Sequence, residues 1–502
     1  MAFAAVENRA LTAGFAENRR LIRAAMRIPI SEDAVERAFA VMGKSAALYY
    51  VDGLCSDVKL QEYVLLPCLR AEGENPTLEH LLCRVLPLGS VTHTLQLTAV
   101  TGRLYGGDAA LIVEGIDGAL VLDAKGFIKR GVQTAGNETV ILGPQEAFTE
   151  SLRDNIVLLR RMMRTPALIS EARAVGDQVP TRVCLLYLDG VARGEDVQEL
   201  RRRLEGCRVD YVSSLGMLEQ LIEDDPYSLT PQMIATERPD RAASFLLSGQ
   251  VLIAMENAPQ LLALPMSFIQ LFHAPDDSAL RFQYGIFLRL LRLLGILVAL
   301  LVPALFVALT SYHMAGLPLP LLTSVQEAQS RVPVAIFPAT LSMLAVFSLI
   351  NEASSRVPTV MGGSLGVVSA LILGQAVAEA DLVSPLLIVL VALSGLGSFV
   401  LPDYEMSMAL RIVQLLLVIA AGIAGYYGII LCLFVLLLRL AGHRSLGWPL
   451  TAPFAPRRPR NPDLLLRAPV WRQRLRGYTA SPFSLRRTVG RMRAWDRPEE
   501  EP

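Results

Sequence analysis

Metal-binding and redox chemistry have little to work with in this sequence. Its 502 residues include five histidines and six cysteines, scattered so that no C-x-x-C pair and no His cluster forms. The phosphate-binding glycine loop, the dinucleotide fingerprint and the H-E-x-x-H helix are all missing. One Gly-x-Ser-x-Gly string, Gly362-Gly-Ser-Leu-Gly366, sits inside a long apolar run without the strand–turn–helix setting of a nucleophile elbow. Neither an enzyme nor a cofactor is expected. A secretory leader is also lacking, because Met1–Ile30 has no continuous apolar core and is broken by Glu7, Arg9, Glu17, Arg19, Arg20 and Arg23. The acidic segment that follows is therefore expected to stay on the cytoplasmic side, with its cysteines reduced.

What the chain does have is strong segregation of charge and hydropathy. The net charge of zero is an average over three regimes. Positions 1–280 carry 27 Lys and Arg against 36 Asp and Glu, 281–438 carry 6 against 6, and 439–502 carry 14 Arg against 5 acids. The middle regime is dominated by apolar runs of the length an α-helix needs to cross a bilayer, roughly 20 residues. An Arg-rich segment directly after the last run places the C-terminus in the cytoplasm by the positive-inside rule. That position explains the charge without nucleic acid, so no nucleic-acid partner is expected.

The acidic half contains a repeat. Ala46-Ala-Leu-Tyr-Tyr-Val-Asp-Gly53 matches Val183-Cys-Leu-Leu-Tyr-Leu-Asp-Gly190, and each leads into a helical pattern. Gly107–Leu122 and Gly249–Leu264 then both read as β-hairpins turning at Ile116-Asp-Gly118 and Asn257-Ala-Pro259. The two matches keep nearly the same offset. The fold class expected is an α/β soluble half of two repeated subdomains followed by an α-helical transmembrane bundle. The divisions are 1–135, a connecting helix in 136–174, 175–280, the bundle at 281–438 and the tail at 439–502.

Five apolar stretches make up the bundle: Leu293–Thr310, Val332–Ile350, Val357–Ala378, Leu382–Leu401 and Ile412–Leu438. With both termini on one side the number of full spans is even. Pro333 and Pro338 make 332–350 the candidate partial segment, so four full spans and one partial segment are expected, six being the alternative. Gly422, Gly425 and Gly428 give the last stretch a small-residue face, and Gly362 and Gly366 do so in the third. Ionisable residues are costly at membrane depth unless paired or hydrated. Glu352, Arg356, Asp403, Glu405 and Arg411 end the apolar runs, where they either pin helix ends at the interface or ring a polar path.

Leu221-Ile-Glu-Asp-Asp-Pro-Tyr-Ser-Leu-Thr-Pro-Gln232, followed by Thr236-Glu-Arg-Pro-Asp-Arg241, resembles the hallmark of the GerA family of spore germination proteins. Further stretches in the same order carry the resemblance along nearly the whole chain. They are Gly143–Arg153, Arg289-Leu-Leu-Arg292, Val302-Pro-Ala-Leu305, Gly374-Gln375, Val383-Ser-Pro385, Pro402-Asp-Tyr-Glu405, Arg411 and Ser445–Pro449. Two departures stand out. The family often has Arg-Gly-Pro-Arg where this chain has Ile141-Leu-Gly-Pro-Gln145, and an acidic, Arg-Glu-Ala-Gly-like run where it has Asn351–Pro358, with Thr340–Ser348 before it lacking an expected acidic residue.

The resemblance implies a membrane subunit of a nutrient-germinant receptor in the spore inner membrane, with both termini on the core side. It implies a B-type transporter-like subunit and a C-type lipoprotein as partners, and homo-oligomerisation into a gated ion channel that releases cations. A branch similar to stage V sporulation protein AF shares the architecture in a supporting role. Glu352, Arg356, Asp403, Glu405 and Arg411 are then pore or gating candidates. Pro226, Tyr227, Glu237, Arg238, Pro239, Asp240 and Arg241 are expected to fix the fold and couple the soluble half to the membrane, with Glu237 and Asp240 available to pair with Arg238 or Arg241. The alternatives are a non-conducting scaffold and, more remotely, a secondary transporter.

Overall fold

The computed structural model describes residues 9–73, 76–126, 138, 140, 142–356, 375, 379, 381–456, 463, 466–477, 482–487 and 492, with side chains left undescribed at 321 and 354–356. The third apolar stretch, Val357–Ala378 with its Gly362 and Gly366, falls largely outside these residues, as does the side chain of Arg356.

The first sheet takes β1 (Ala34–Val41), β2 (Lys44–Val51), β3 (Val91–Thr94), β4 (Ala109–Val113) and β5 (Ala119–Leu122) in the order β1-β2-β4-β5-β3, with every pairing antiparallel. Its central strands read as unbroken apolar runs because both faces are covered. Ala46 and Leu48 of β2 point to a cluster with Leu60, Val64 and Cys68 from the helical stretch after Asp57. Ala47, Tyr49 and Val51 point the other way, onto α1 (Phe15–Ala25) and α2 (Leu97–Leu104). At the Asp52-Gly53 turn the backbone has φ +76°, and a Cβ at Gly53 would run into Val157, which explains the glycine.

The second sheet repeats this plan. Helix α3 (Leu152–Met162) leads into β6 (Leu168–Val175), β7 (Thr181–Leu188), α4 (Gly194–Gly206), α5 (Leu215–Ile222), β8 (Ile234–Thr236), α6 (Pro239–Leu247), β9 (Val251–Met255) and β10 (Leu261–Leu264). The strand order is β6-β7-β9-β10-β8, again wholly antiparallel. The stretch 136–174 therefore holds more than a linking helix, since it also supplies the edge strand β6. Val183, Leu185 and Tyr187 bury one face against α4 and α5. Cys184, Leu186 and Leu188 bury the other against α3 and α6, in a cluster that runs on into the membrane half through Ile296, Met406 and Leu410.

The two units meet at a buried ion pair. Arg160 of α3, its side chain 1% exposed, grips Asp33 with Nε and Nη2 at 2.6 and 2.8 Å. Ser31 and Ser170 complete the contact, and the Tyr105 ring lies 5.0 Å under the guanidinium.

Helices α7 (Phe282–Ser311), α8 (Leu319–Ser330), α9 (Ile336–Arg356), α10 (Pro385–Ser398) and α11 (Tyr404–Gly442) follow. Among the described residues three of them, α7, α9 and α11, are long and apolar enough to cross a membrane. Pro303 in α7 cannot bond the carbonyl of Ala299. Gln414 Nε2 at 2.9 Å and Ser394 Oγ at 3.1 Å donate to that oxygen instead.

The last apolar stretch is not one straight helix. As a straight rod α11 would be about 58 Å long at 1.5 Å per residue, yet Met406 and Leu410 near its start share a cavity with Leu437 and Leu440 near its end. The chain reverses at Ala424 and Gly425, whose backbones are non-helical. Gly425 has φ +59°, and a Cβ there would press on Tyr312 and His313 at the far end of α7. The Tyr312 hydroxyl lies 2.7 and 2.9 Å from the carbonyls of Gly422 and Ile423 that the break sets free. A 27-residue apolar run thus folds as parts of two antiparallel arms, 404–423 and 426–442. The basic tail packs back on the soluble half: Arg467 donates to the carbonyls of Ser278 and Leu280, and Arg476 to that of Leu247.

Burial alone would raise the Asp33 pKa, but the Arg160 guanidinium and the serine hydroxyls outweigh it and hold the carboxyl below its ordinary value. Its contribution to stability is complete above the unfolded carboxylate pKa of about 4 and is lost as pH falls through the depressed folded value. Asp33→Ala, which leaves Arg160 buried and unpaired, is expected to destabilise the detergent-solubilised chain by about 3–5 kcal/mol. Chemical denaturation of the two proteins at pH 7 and pH 3 checks this, since the difference between them should shrink at the lower pH.

Candidate functional site

The corner between α10 and α11 is built by its sequence. Pro402 stops any continuation of α10, and Asp403 caps α11, its Oδ1 accepting from the Met406 amide at 2.8 Å. Glu405 then sits in the first turn, where the helix dipole favours a carboxylate, and Arg411 follows two turns later. The end of α9 brings Asn351 and Glu352 to the same place, while the soluble half contributes Glu219 from α5, Thr236 and Glu237 at β8, and Arg241 from α6. Together they line a cavity of about 910 Å³ whose wall carries six carboxylates (Glu138, Glu219, Glu237, Glu352, Asp403 and Glu405) and two arginines, Arg241 and Arg411.

One of those arginines is already committed. Arg241 is ion-paired with Glu138 and donates to the carbonyl of His273 at 3.1 Å. Arg411 lies 5.7 Å from the centre of the Phe399 ring and 3.8 Å from Met408 Sδ, and its buried Nε has no hydrogen-bond partner among the described residues. Glu219 is 8% exposed. Burial first, then the charges of Glu405, Glu223 and Asp403, push its pKa up to about 8. Glu223 rises to about 6, by burial and then by Glu405, Asp225 and Asp224. An excess of carboxylates lining one cavity attracts protons and cations.

Of the residues expected from the sequence, Glu352, Asp403, Glu405, Arg411, Glu237 and Arg241 all reach this cavity. Arg238 and Asp240 pair with each other at 3.0 and 2.8 Å, with the Arg238 side chain 1% exposed. Arg238 also holds the carbonyls of Glu138 and Pro144, so this pair fixes the wall behind the cavity. Pro239 is the first residue of α6, where its fixed φ suits a helix start. Pro226 and Tyr227 lie elsewhere, Tyr227 being 93% exposed. Their loop is pinned by Gln232, which accepts from the amides of Asp224 and Asp225 and donates to the Asp225 carbonyl. The same loop holds the exit of α11 through Asp225–His443 at 3.1 Å and Asp224 to the Gly447 amide at 3.0 Å.

Glu138 and Glu219 escaped the sequence reading. Glu219 had a signal, because it follows Leu215 by four residues and so shares the buried face with Leu218 and Ile222. A carboxylate on an apolar helix face marks a polar cavity or a partner.

Residues 21–478 match the family model described as Bacillus/Clostridium GerA spore germination protein. The chain belongs to the GerA family. Among its curated relatives, spore germination protein KA of Bacillus subtilis (strain 168) is 32% identical over 428 residues, covering 85% of this chain and 79% of that one. Spore germination protein GerLA of Bacillus cereus is 32% identical over 428 residues, 84% of this chain and 87% of its own length. YfkQ of Bacillus subtilis (strain 168), named as an uncharacterised membrane protein, is 32% identical over 434 residues, 86% of this chain and 84% of its own. The crystallised N-terminal domain of the A subunit of the Bacillus megaterium spore germinant receptor GerK3 is 29% identical, with a TM-score of 0.40, over 51% of this chain and 97% of that one. The ordered motifs of this GerA-family chain thus reflect true membership, and its apolar helices accord with membrane association.

Because the folded value of Glu219 lies above its unfolded value of about 4.3, its stabilising effect is complete below pH 4 and is lost as pH rises to about 8. Glu219→Gln is expected to flatten that fall and to leave the protein more stable than wild type above pH 8. Thermal midpoints of both proteins from pH 5 to pH 9 provide the check, and parallel curves would contradict the assignment.

Proposed function

We propose that this chain is a membrane subunit of a spore germinant receptor that forms a gated path for cations and acts in germination. The observation that carries this reading is the acid-lined cavity, where Glu352, Asp403 and Glu405 of the membrane helices meet Glu219, Glu237 and Arg241 of the soluble half. Clefts lined by one sign of charge concentrate counter-ions by about 10–10³-fold, which suits the mouth of a cation path. Movement of α5 or α6 would change the cavity directly, so a ligand-driven shift in the soluble half has a short route to the membrane helices. Six crossings are proposed. Helices α7, α9 and α10 are assigned one each and the two arms of α11 one each, and the apolar sequence Val357–Ala378, which lies largely outside the described residues, is assigned the sixth. Both termini then share the cytoplasmic or spore-core side of the spore inner membrane. A B-type transporter-like subunit, a C-type lipoprotein and further copies of this chain are the proposed partners, and no catalytic role is assigned.

A non-conducting scaffold is the second reading, favoured by the lack of any acidic residue in Thr340–Ser348 of α9. The two separate in potassium-loaded liposomes containing the full chain, alone and with its partner subunits. Conduction predicts potassium efflux that falls by about tenfold when Glu352 and Glu405 are both changed to Gln, as the local cation excess is lost. An intact oligomer that passes no ions with partners and nutrients present would establish the scaffold reading instead.

A further inference from the structure

Two adjoining cavities at the soluble–membrane junction differ sharply in character. The first, about 550 Å³, is an apolar slot between α7 and the two arms of α11, walled by residues such as Leu293, Ile296, Leu410, Leu437 and Phe272. It lies at the level where the charged start of α7 gives way to its apolar run, with Arg289 in its wall. The second, about 330 Å³, is polar and shares Ile269, His273 and Arg289 with the slot. Its wall carries Arg241, Arg289, Arg467 and Arg487 against two carboxylates, Asp240 and Asp463, with hydroxyls from Ser244 and Ser248.

The charge there does not cancel. Asp240 is held by Arg238, Asp463 by Arg289 at 2.7 Å, and Arg241 by Glu138. That leaves Arg467, 7% exposed, whose hydrogen bonds go to backbone carbonyls. Burial, against the opposing charge of Asp463, is what lowers its pKa, with Arg289 adding to it. Exposed Arg487 faces the same space, its Nη1 3.5 Å from Gln473 Oε1.

We propose that the two cavities form one site for an anionic phospholipid, with an acyl chain in the slot and the phosphate between Arg467 and Arg487. A planar guanidinium fork matches phosphate oxygens. A free phosphate would satisfy the arginines but leave the slot empty, and an apolar space of that size is a poor home for water. Hydrocarbon fills it from the surrounding bilayer at no loss of solvation. The site requires only that α7 and α11 lie in a membrane, so it stands whether or not the chain conducts ions.

The test uses the full chain in nanodiscs of phosphatidylcholine, alone or mixed with phosphatidylglycerol, reading both the lipid retained after detergent exchange and the thermal midpoint. Phosphatidylglycerol is expected to be retained in preference and to raise the midpoint. Arg487→Glu should lower that preference by about tenfold, the loss of one charge-assisted contact. Leu437→Trp, at a position 62% exposed and so cheap to enlarge, should reduce retention of both lipids. If Arg487→Glu disturbs folding, Arg487→Gln tests the same contact. Equal retention of the two lipids by the wild-type chain would overturn the site. So would a midpoint rise reproduced by inorganic phosphate alone, or cross-linking that seats a second copy of the chain in the slot.

Discussion

Asp277 is the hinge pin between the two halves of the protein. Its side chain is 1% exposed and is reached by Arg289 at 3.1 Å and by Arg292 at 3.0 and 3.2 Å, both from the first turns of α7. Burial would raise the carboxyl, but the two guanidinium groups, Arg292 foremost, keep it below its ordinary value. Arginines three residues apart lie on one helix face, so α7 has a single rotation in which both can reach the aspartate. That rotation turns Ile296 and Ala299 into the apolar cluster beneath the second sheet. Helices α9, α10 and α11 in turn pack on α7.

The same logic recurs at other joints in the chain. Asp33–Arg160 locks the first sheet unit to the second, and Arg238–Asp240 ties β8 and α6 to the segment around Pro144. Each pair is satisfied on nearly all sides, which is the condition under which a buried charge holds a structure together and does not weaken it. The cavity at the α10–α11 corner breaks that rule. Carboxylates outnumber arginines there six to two, and Glu219 stays buried among like charges. A fold that balances its charge at the joints but leaves carboxylates in excess at this corner, and arginines in excess beside Arg467, has set those two places aside for something other than stability.

Much of the architecture was legible in the sequence. The match of Ala46–Gly53 to Val183–Gly190 gave the paired central strands β2 and β7, because a strand covered on both faces reads as an unbroken apolar run ending at a glycine that must turn. Edge strands β1, β3, β6 and β8 left weaker traces, since their residues alternate or are short and polar. Antiparallel pairing throughout was not visible either: strand–turn–helix punctuation is shared by parallel and antiparallel α/β arrangements. The ionisable residues at the ends of apolar runs were visible as a set, but not their convergence with Glu219 and Glu138, which arrive from distant parts of the chain.

Sequence by itself determined which segments are soluble and which are apolar, the duplication, the caps and breaks at Asp403 and Pro239, and the motifs that mark the GerA family. These are local properties, set by side-chain chemistry and by φ and ψ preferences over a few residues. Tertiary structure alone decided that the last apolar run reverses at Gly425, that Arg289 and Arg292 find Asp277, and that six carboxylates share one cavity. Each of these depends on contacts between residues far apart in the chain, where the reversal brings the Gly422 and Ile423 carbonyls within reach of the Tyr312 hydroxyl, and where a carboxylate's neighbours are set by the packing of other elements.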